Sequence, residues 1–204
     1  MSETKPEYPE MTPNNVKKGK KEKPKKSMQR EIFEWVMVFV CALGMAFVLR
    51  TFVFEPVSVD GRSMMNTLQD GEYMIATKFD YLTGDPQRFD IVICHYPGRT
   101  ENFVKRIIGL PGETVELREG ELYINGDFVQ QAFDRTSSVR NYGPYTVPEG
   151  RYFVMGDNRD NSHDSRASDV GALTRDQIRG HVQYVVYPFS NFRKVSGDYL
   201  NGAD

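Results

Sequence analysis

Residues 35–49 read WVMVFVCALGMAFVL, fifteen consecutive residues without a charge. Extended outward from Ile32 to Phe54, the apolar segment is 23 residues long, roughly 35 Å of helix at about 1.5 Å per residue. The hydrocarbon core of a bilayer is about 30 Å thick, so the segment is long enough to cross one. Glu34 and Arg50 stand near its ends, where the long Arg50 side chain can reach the headgroups, and Trp35 suits an interface. A cleaved secretory leader has the same basic-then-apolar pattern, and Gly44-Met45-Ala46 is a small-x-small triplet. Phe47-Val48-Leu49 follow it directly, and no small-x-small site lies just beyond the run, so an uncleaved anchor is expected. A buried core helix fits poorly with the lysines that precede the run.

This segment divides the 204 residues into three zones. Residues 1–30 carry nine Lys/Arg against four Glu, with Pro6, Pro9, Pro13 and Pro24 and almost no apolar side chains. Such a stretch cannot offset the entropy of ordering, so a disordered basic tail is expected. Residues 31–54 form the expected transmembrane helix. Residues 55–204 carry 16 Lys/Arg against 22 Asp/Glu and have the composition of a folded domain. Eight of the eleven lysines lie in the first zone, so the positive-inside rule places residues 1–30 in the cytoplasm and 55–204 outside it. The chain is then a single-pass cell-membrane protein.

The outer zone is punctuated like a mainly β-protein. Strand-like runs are Tyr73–Phe79, Phe89–Tyr96, Phe103–Gly109, Thr114–Leu117, Glu121–Asn125, Arg151–Met155 and Val182–Tyr187. Leu117–Leu122 reads as a hairpin turn between two of them. Residues 134–147 are polar and turn-rich, an expected exposed loop. No helix of more than two turns is expected after residue 55. The fold class is an N-terminal transmembrane helix followed by an antiparallel β-sheet domain, with a small hairpin or loop subdomain at about 113–150.

Composition removes several functions. A net charge of −2 argues against a nucleic-acid binder, and no nucleic-acid partner is expected. Cys41 and Cys94 cannot make a disulfide framework or a four-thiolate zinc site. No His-x-x-x-His or paired-cysteine spacing occurs, so no metal and no cofactor are expected. Three histidines, His95, His163 and His181, allow a Ser-His-Asp triad by count, but no Gly-x-Ser-x-Gly elbow supports one.

Three blocks stand out. They are Gly61-Arg62-Ser63-Met64-Met65-Asn66-Thr67-Leu68, Lys105-Arg106-Ile107-Ile108-Gly109-Leu110-Pro111-Gly112-Glu113, and the run from Met155 to Arg166, MGDNRDNSHDSR. Each alone has an ordinary reading: a serine in a turn, a lysine at a strand end, and a loop stitched by side-chain to backbone bonds.

Together, in this order after one apolar segment, they resemble bacterial type I signal peptidases of the small Gram-positive form. Arg88-Phe89-Asp90-Ile91-Val92 resembles a further strand of that family, and the resemblance runs from about residue 31 to 190. It implies a membrane-anchored serine endopeptidase that removes signal peptides from translocated preproteins after a small-x-small site. Ser63 would be the nucleophile and Lys105 its general base, because a serine hydroxyl is weak until a base takes its proton. Lysine can do this only when neutral, and apolar burial destabilises its charged form. Arg106 is no substitute, since a guanidinium stays charged.

Ser162 would orient the lysine amine, and the Ser63 N–H would donate to the oxyanion. Asp157, Arg159, Asp164 and Arg166 would form supporting ion pairs and loop hydrogen bonds. Val57, Val59, Met64, Leu68, Phe103 and Val104 would line shallow pockets for small side chains. The implied partners are secreted preproteins with their signal peptides, membrane lipid, and the neighbourhood of the translocation channel.

Two positions depart from the family pattern. Asn66 replaces the usual proline, freeing a backbone N–H, and Gly61 stands where many relatives carry a hydroxyl donor. Asn66 supports an alternative, a catalytically impaired paralogue that serves as a membrane-anchored binding or pilus-assembly factor. A self-cleaving Ser-Lys repressor would need a DNA-binding domain in place of residues 1–54.

Overall fold

A computed structural model describes residues 28–52, 54–65, 67–78, 80–131 and 140–195. The basic tail up to residue 27, Asn66 and residues 132–139, which include 134–139 of the expected loop, lie outside them.

The first element, α1, spans Met28–Phe52. Its residues Met28–Val48 make a helix long and apolar enough to cross a membrane, with mean hydropathy 2.0 and none of that span buried. Arg30 and Glu34 pair one turn apart near its start.

After α1 the chain is built from antiparallel strands. The larger sheet takes β1 (Phe54–Ser58), β2 (Tyr73–Thr77), β3 (Ile91–His95), β4 (Asn102–Gly109), β9 (Arg151–Met155), β10 (Leu173–Thr174), β11 (Ile178–Tyr187) and β12 (Arg193–Lys194). Its order is β1-β2-β11-β3-β4-β9-β10, with β12 on β11. The smaller sheet has the order β7-β6-β5-β8, from β5 (Thr114–Arg118), β6 (Glu121–Ile124), β7 (Asp127–Val129) and β8 (Tyr142–Thr146). The mainly β expectation therefore holds. The only α-helix described after α1 is α2 (Asp80–Thr83).

Part of the expected loop is a strand instead. Tyr142–Thr146 pairs with β5, with Thr114 opposite Thr146 and Val115 opposite Tyr145. Gly143 and Pro144 masked it in the sequence, and both are tolerated because β8 is an edge strand of the smaller sheet. Strand β1 is likewise not apparent in the sequence, since Pro56 lies within it and its apolar start runs on from the helix.

Alternation explains the packing. In β2 Met74 and Ala76 are fully buried while Tyr73 is exposed, and Ile91 and Ile93 of β3 join them in one core with Leu68, Val182 and Val185. Burying each large aliphatic side chain contributes about 1.5–3 kcal/mol. A second core seats the smaller sheet: Val115, Leu117, Leu122 and Ile124 pack with Phe89, Ile108, Phe153 and Met155. Gly109 lies at the seam, where β4 shifts register against β9. A Cβ there would overlap the Val115 side chain and come within 3.2 Å of Phe153 Cβ, so the close approach requires glycine.

Candidate active site

Three segments far apart in sequence meet at the middle of β4. Ser63 lies in the turn after β1, Lys105 in β4, and residues 156–166 in the loop after β9. Strand pairing sets Lys105 opposite Val92 of β3, and Arg106 opposite both Ile91 of β3 and Met155 of β9.

Lys105 is 2% exposed, and its Nζ lies 2.7 Å from Ser63 Oγ. The amine also donates to the Val104 carbonyl oxygen at 3.0 Å. Its Nζ is 5.8 Å from the centre of the Phe103 ring, which stacks on Tyr96 with ring centres 4.3 Å apart. Burial pushes the lysine pKa below the ordinary range, and this outweighs the opposing pull of Cys94, Asp164 and Asp157. The Cys94 thiol is itself pushed up to about 12 by burial. A lysine in this setting sheds its proton readily and can then accept the hydrogen of the Ser63 hydroxyl.

The third block forms a frame around this pair. Asp157 takes a two-pronged ion pair from Arg106, Oδ1 to Nε at 2.8 Å and Oδ2 to Nη2 at 2.7 Å, with both side chains fully buried. The Arg106 Nη1 donates to the Phe89 carbonyl at 2.9 Å, and Thr67 Oγ1 donates to Asp157 at 2.5 Å. Asp164 is bound by Arg166 at 2.8 and 2.9 Å and by the Gly156 N–H at 3.0 Å. Burial alone would raise the Asp164 pKa, but its bonds to Arg166 and Gly156 outweigh that and hold it below the carboxylate range. Arg166 also donates to the Arg159 carbonyl at 2.8 Å, and the Arg159 guanidinium reaches Gln131 Oε1.

Several placements differ from expectation. The Ser162 hydroxyl is not bonded to Lys105. It is buried without a hydrogen-bond partner of normal geometry, although it is close enough to Asp164 to favour the carboxylate. It lies against Gly156, where a Cβ would overlap both Ser162 and the Ser63 carbonyl. Glycine at 156 thus lets the loop close on the turn that carries Ser63. Val57, Val59, Met64, Phe103 and Val104 line one cleft with Ser63 and Lys105. Leu68 does not: it is wholly buried in the core beneath, so it acts on the cleft only through packing. Gly61, at φ +97°, is held by an N–H bond to Asp70 Oδ1 at 2.9 Å.

Arg106 has a structural role that the sequence does not announce. It is the partner of Asp157, and the sequence signal for this is its position beside Lys105 together with the acidic third block. The histidines have other neighbours. His163 Nε2 lies 2.9 Å from Asp169, and His181 Nδ1 lies 3.1 Å from Asp80. Neither bonds to Ser63 or Lys105. No group of three His, Cys, Asp or Glu side chains able to hold a metal occurs among the described residues.

The chain is similar to known proteins of one family. The family model described as signal peptidase, peptidase S26, matches residues 32–187. Signal peptidase I P of Bacillus subtilis subsp. natto is 40% identical over 174 residues, covering 80% of this chain and 93% of that relative. Signal peptidase I S of Bacillus subtilis (strain 168) is 40% identical over 181 residues, covering 83% and 97%. The crystal structure of a signal peptidase I from Enterococcus faecalis V583 shares 36% identity, covers 48% of this chain and 97% of that one, and superposes with a TM-score of 0.42.

Proposed function

Because the chain belongs to the signal peptidase family, peptidase S26, and is a serine endopeptidase of that family, we propose that it cuts signal peptides from preproteins with Ser63 as nucleophile and Lys105 as general base. The observation that carries this reading is the 2.7 Å contact between Ser63 Oγ and the buried Lys105 Nζ.

Neutral Lys105 takes the hydroxyl proton as Ser63 Oγ attacks the scissile carbonyl. The Ser63 N–H stabilises the oxyanion. As the tetrahedral intermediate collapses, the Lys105 ammonium returns its proton to the departing amine, and the signal peptide is left as an ester on Ser63. Water, deprotonated by the same amine, then hydrolyses that ester. Asp157, Asp164, Arg159 and Arg166 support the loop, and Ser162 lies in the frame beside Gly156.

The cut follows a small-x-small sequence, as the family resemblance implies, with the small side chains seated against Val57, Val59, Met64, Phe103 and Val104, which line the cleft beside Ser63. The α1 helix anchors the chain in the cell membrane, with residues 1–30 cytoplasmic and the β-domain outside, close to the translocation channel. Anchoring confines enzyme and preprotein to one membrane and raises their effective concentration.

The test is cleavage of a purified preprotein, with the new N-terminus identified by sequencing. Wild type should cut once after a small-x-small triplet, and Ser63→Ala should not cut. Undiminished cleavage by Ser63→Ala would overturn the assignment.

A further inference from the structure

Asn158 makes two bonds to the nucleophile turn. Its backbone N–H donates to the Ser63 carbonyl at 3.0 Å, and its side-chain Nδ2 donates to the Arg62 carbonyl at 3.0 Å. The Arg62 carbonyl and the Ser63 N–H are opposite ends of one peptide group. That group is planar and trans, so its C=O and N–H point in opposite directions. Fixing the Arg62 oxygen therefore fixes where the Ser63 N–H points. A second donor, the Met65 N–H at 3.2 Å, reaches the same oxygen from within the turn, and among the described residues it is Asn158 that ties it to the loop after β9.

From this geometry we propose that Asn158 is a positioning residue for the oxyanion: its side-chain amide aims and polarises the Ser63 N–H. The inference rests on the Ser63–Lys105 reading above. Donation to an amide carbonyl draws electron density from the nitrogen and strengthens its N–H as a donor, the cooperativity expected of hydrogen-bond chains.

The neighbours of Asn158 reinforce the effect. Asp157 locks onto Arg106 of β4, the residue after Lys105. Consecutive residues 157 and 158 thus grip the strand that carries the base and the turn that carries the nucleophile and oxyanion donor. Exposure is partial at Asn158, so its side chain can change without opening the buried pair beside it.

The test compares Asn158→Ala with wild type on one preprotein. The substitution keeps the backbone bond to Ser63 and the Arg106–Asp157 pair. Removing an oxyanion donor outright costs about 10²–10³ in kcat, so misaiming one should lower kcat by about 10–10², with KM nearly unchanged. A peptide aldehyde, which forms an oxyanion on Ser63, should lose affinity in the same proportion as kcat/KM. A signal-peptide fragment ending before the cut makes no oxyanion and should bind as before.

Asn158→Asp, similar in shape but without the donor, carries the same expectation and keeps the test open if the alanine variant fails to fold. Wild-type kcat in a folded variant, or equal weakening of the aldehyde and the fragment, would overturn the proposal. Absence of cleavage by wild type would instead overturn the underlying reading of the site.

Discussion

Burying Lys105 suits the base role proposed for it and costs the fold stability. Its pKa is lowered in the folded state by desolvation, from an unfolded value of about 10.4. Between the two values the unfolded chain binds more protons, so stability rises with pH through that window and levels off above about 10.4. Below the folded value the whole cost of the buried charge remains. Lys105→Met should therefore melt above wild type at neutral pH, by about 2–4 °C for each kcal/mol relieved in a chain of this size, and the gap should close as pH approaches about 10. Thermal denaturation followed by circular dichroism across that range checks this; equal melting at neutral pH would mean the charge is not penalised. At this scale much of the site was legible. Ser63, Lys105 and the third block stand out because their order and spacing are specific. Leu68 was misplaced because an apolar residue five positions from a nucleophile reads the same whether it lines a cleft or lies beneath it. The place of Ser162 was not legible either, because the direction of a hydroxyl depends on its packing against Gly156.

Neighbouring residues of β4 perform different tasks. Lys105 reaches Ser63, and Arg106 pairs with Asp157 across to the loop after β9. That pair is a test of how the elements hold together. Breaking it with Arg106→Met leaves a buried Asp157 carboxylate whose remaining side-chain hydrogen bond among the described residues is from Thr67, and should destabilise the domain by about 3–5 kcal/mol. The double variant Arg106→Met with Asp157→Leu removes both charges and should regain much of that loss. Chemical denaturation of the single and double variants decides it; a double variant as unstable as the sum of the singles would show that the pair contributes more than mutual neutralisation. A strand that is one unbroken apolar run bounded by turn residues, such as Arg151–Met155, was readable from sequence. Tyr142–Thr146 was not, because an edge strand tolerates the glycine and proline that otherwise mark a loop. The Arg106–Asp157 pairing spans 51 residues and follows from sheet order, which local pattern does not encode.

The division of the chain into an apolar N-terminal helix and a β-domain is the feature the sequence states most openly, since a long uncharged run needs no tertiary context to be recognised. Anchoring with the N-terminus inside predicts that the protein fractionates with membranes and that external protease digests the β-domain in intact spheroplasts while sparing the basic tail. Protection of the β-domain would reverse the orientation. The division of labour between Ser63 and a neutral Lys105 is tested most directly by the pH dependence of preprotein cleavage by the full chain in lipid vesicles, wild type beside Lys105→Met. Wild type should rise along an acid limb whose midpoint lies well below the free lysine value of about 10.4, and Lys105→Met should remain at background at every pH. A Lys105→Met protein that cleaves at a substantial rate along the same limb would contradict lysine as the base and return attention to the histidines.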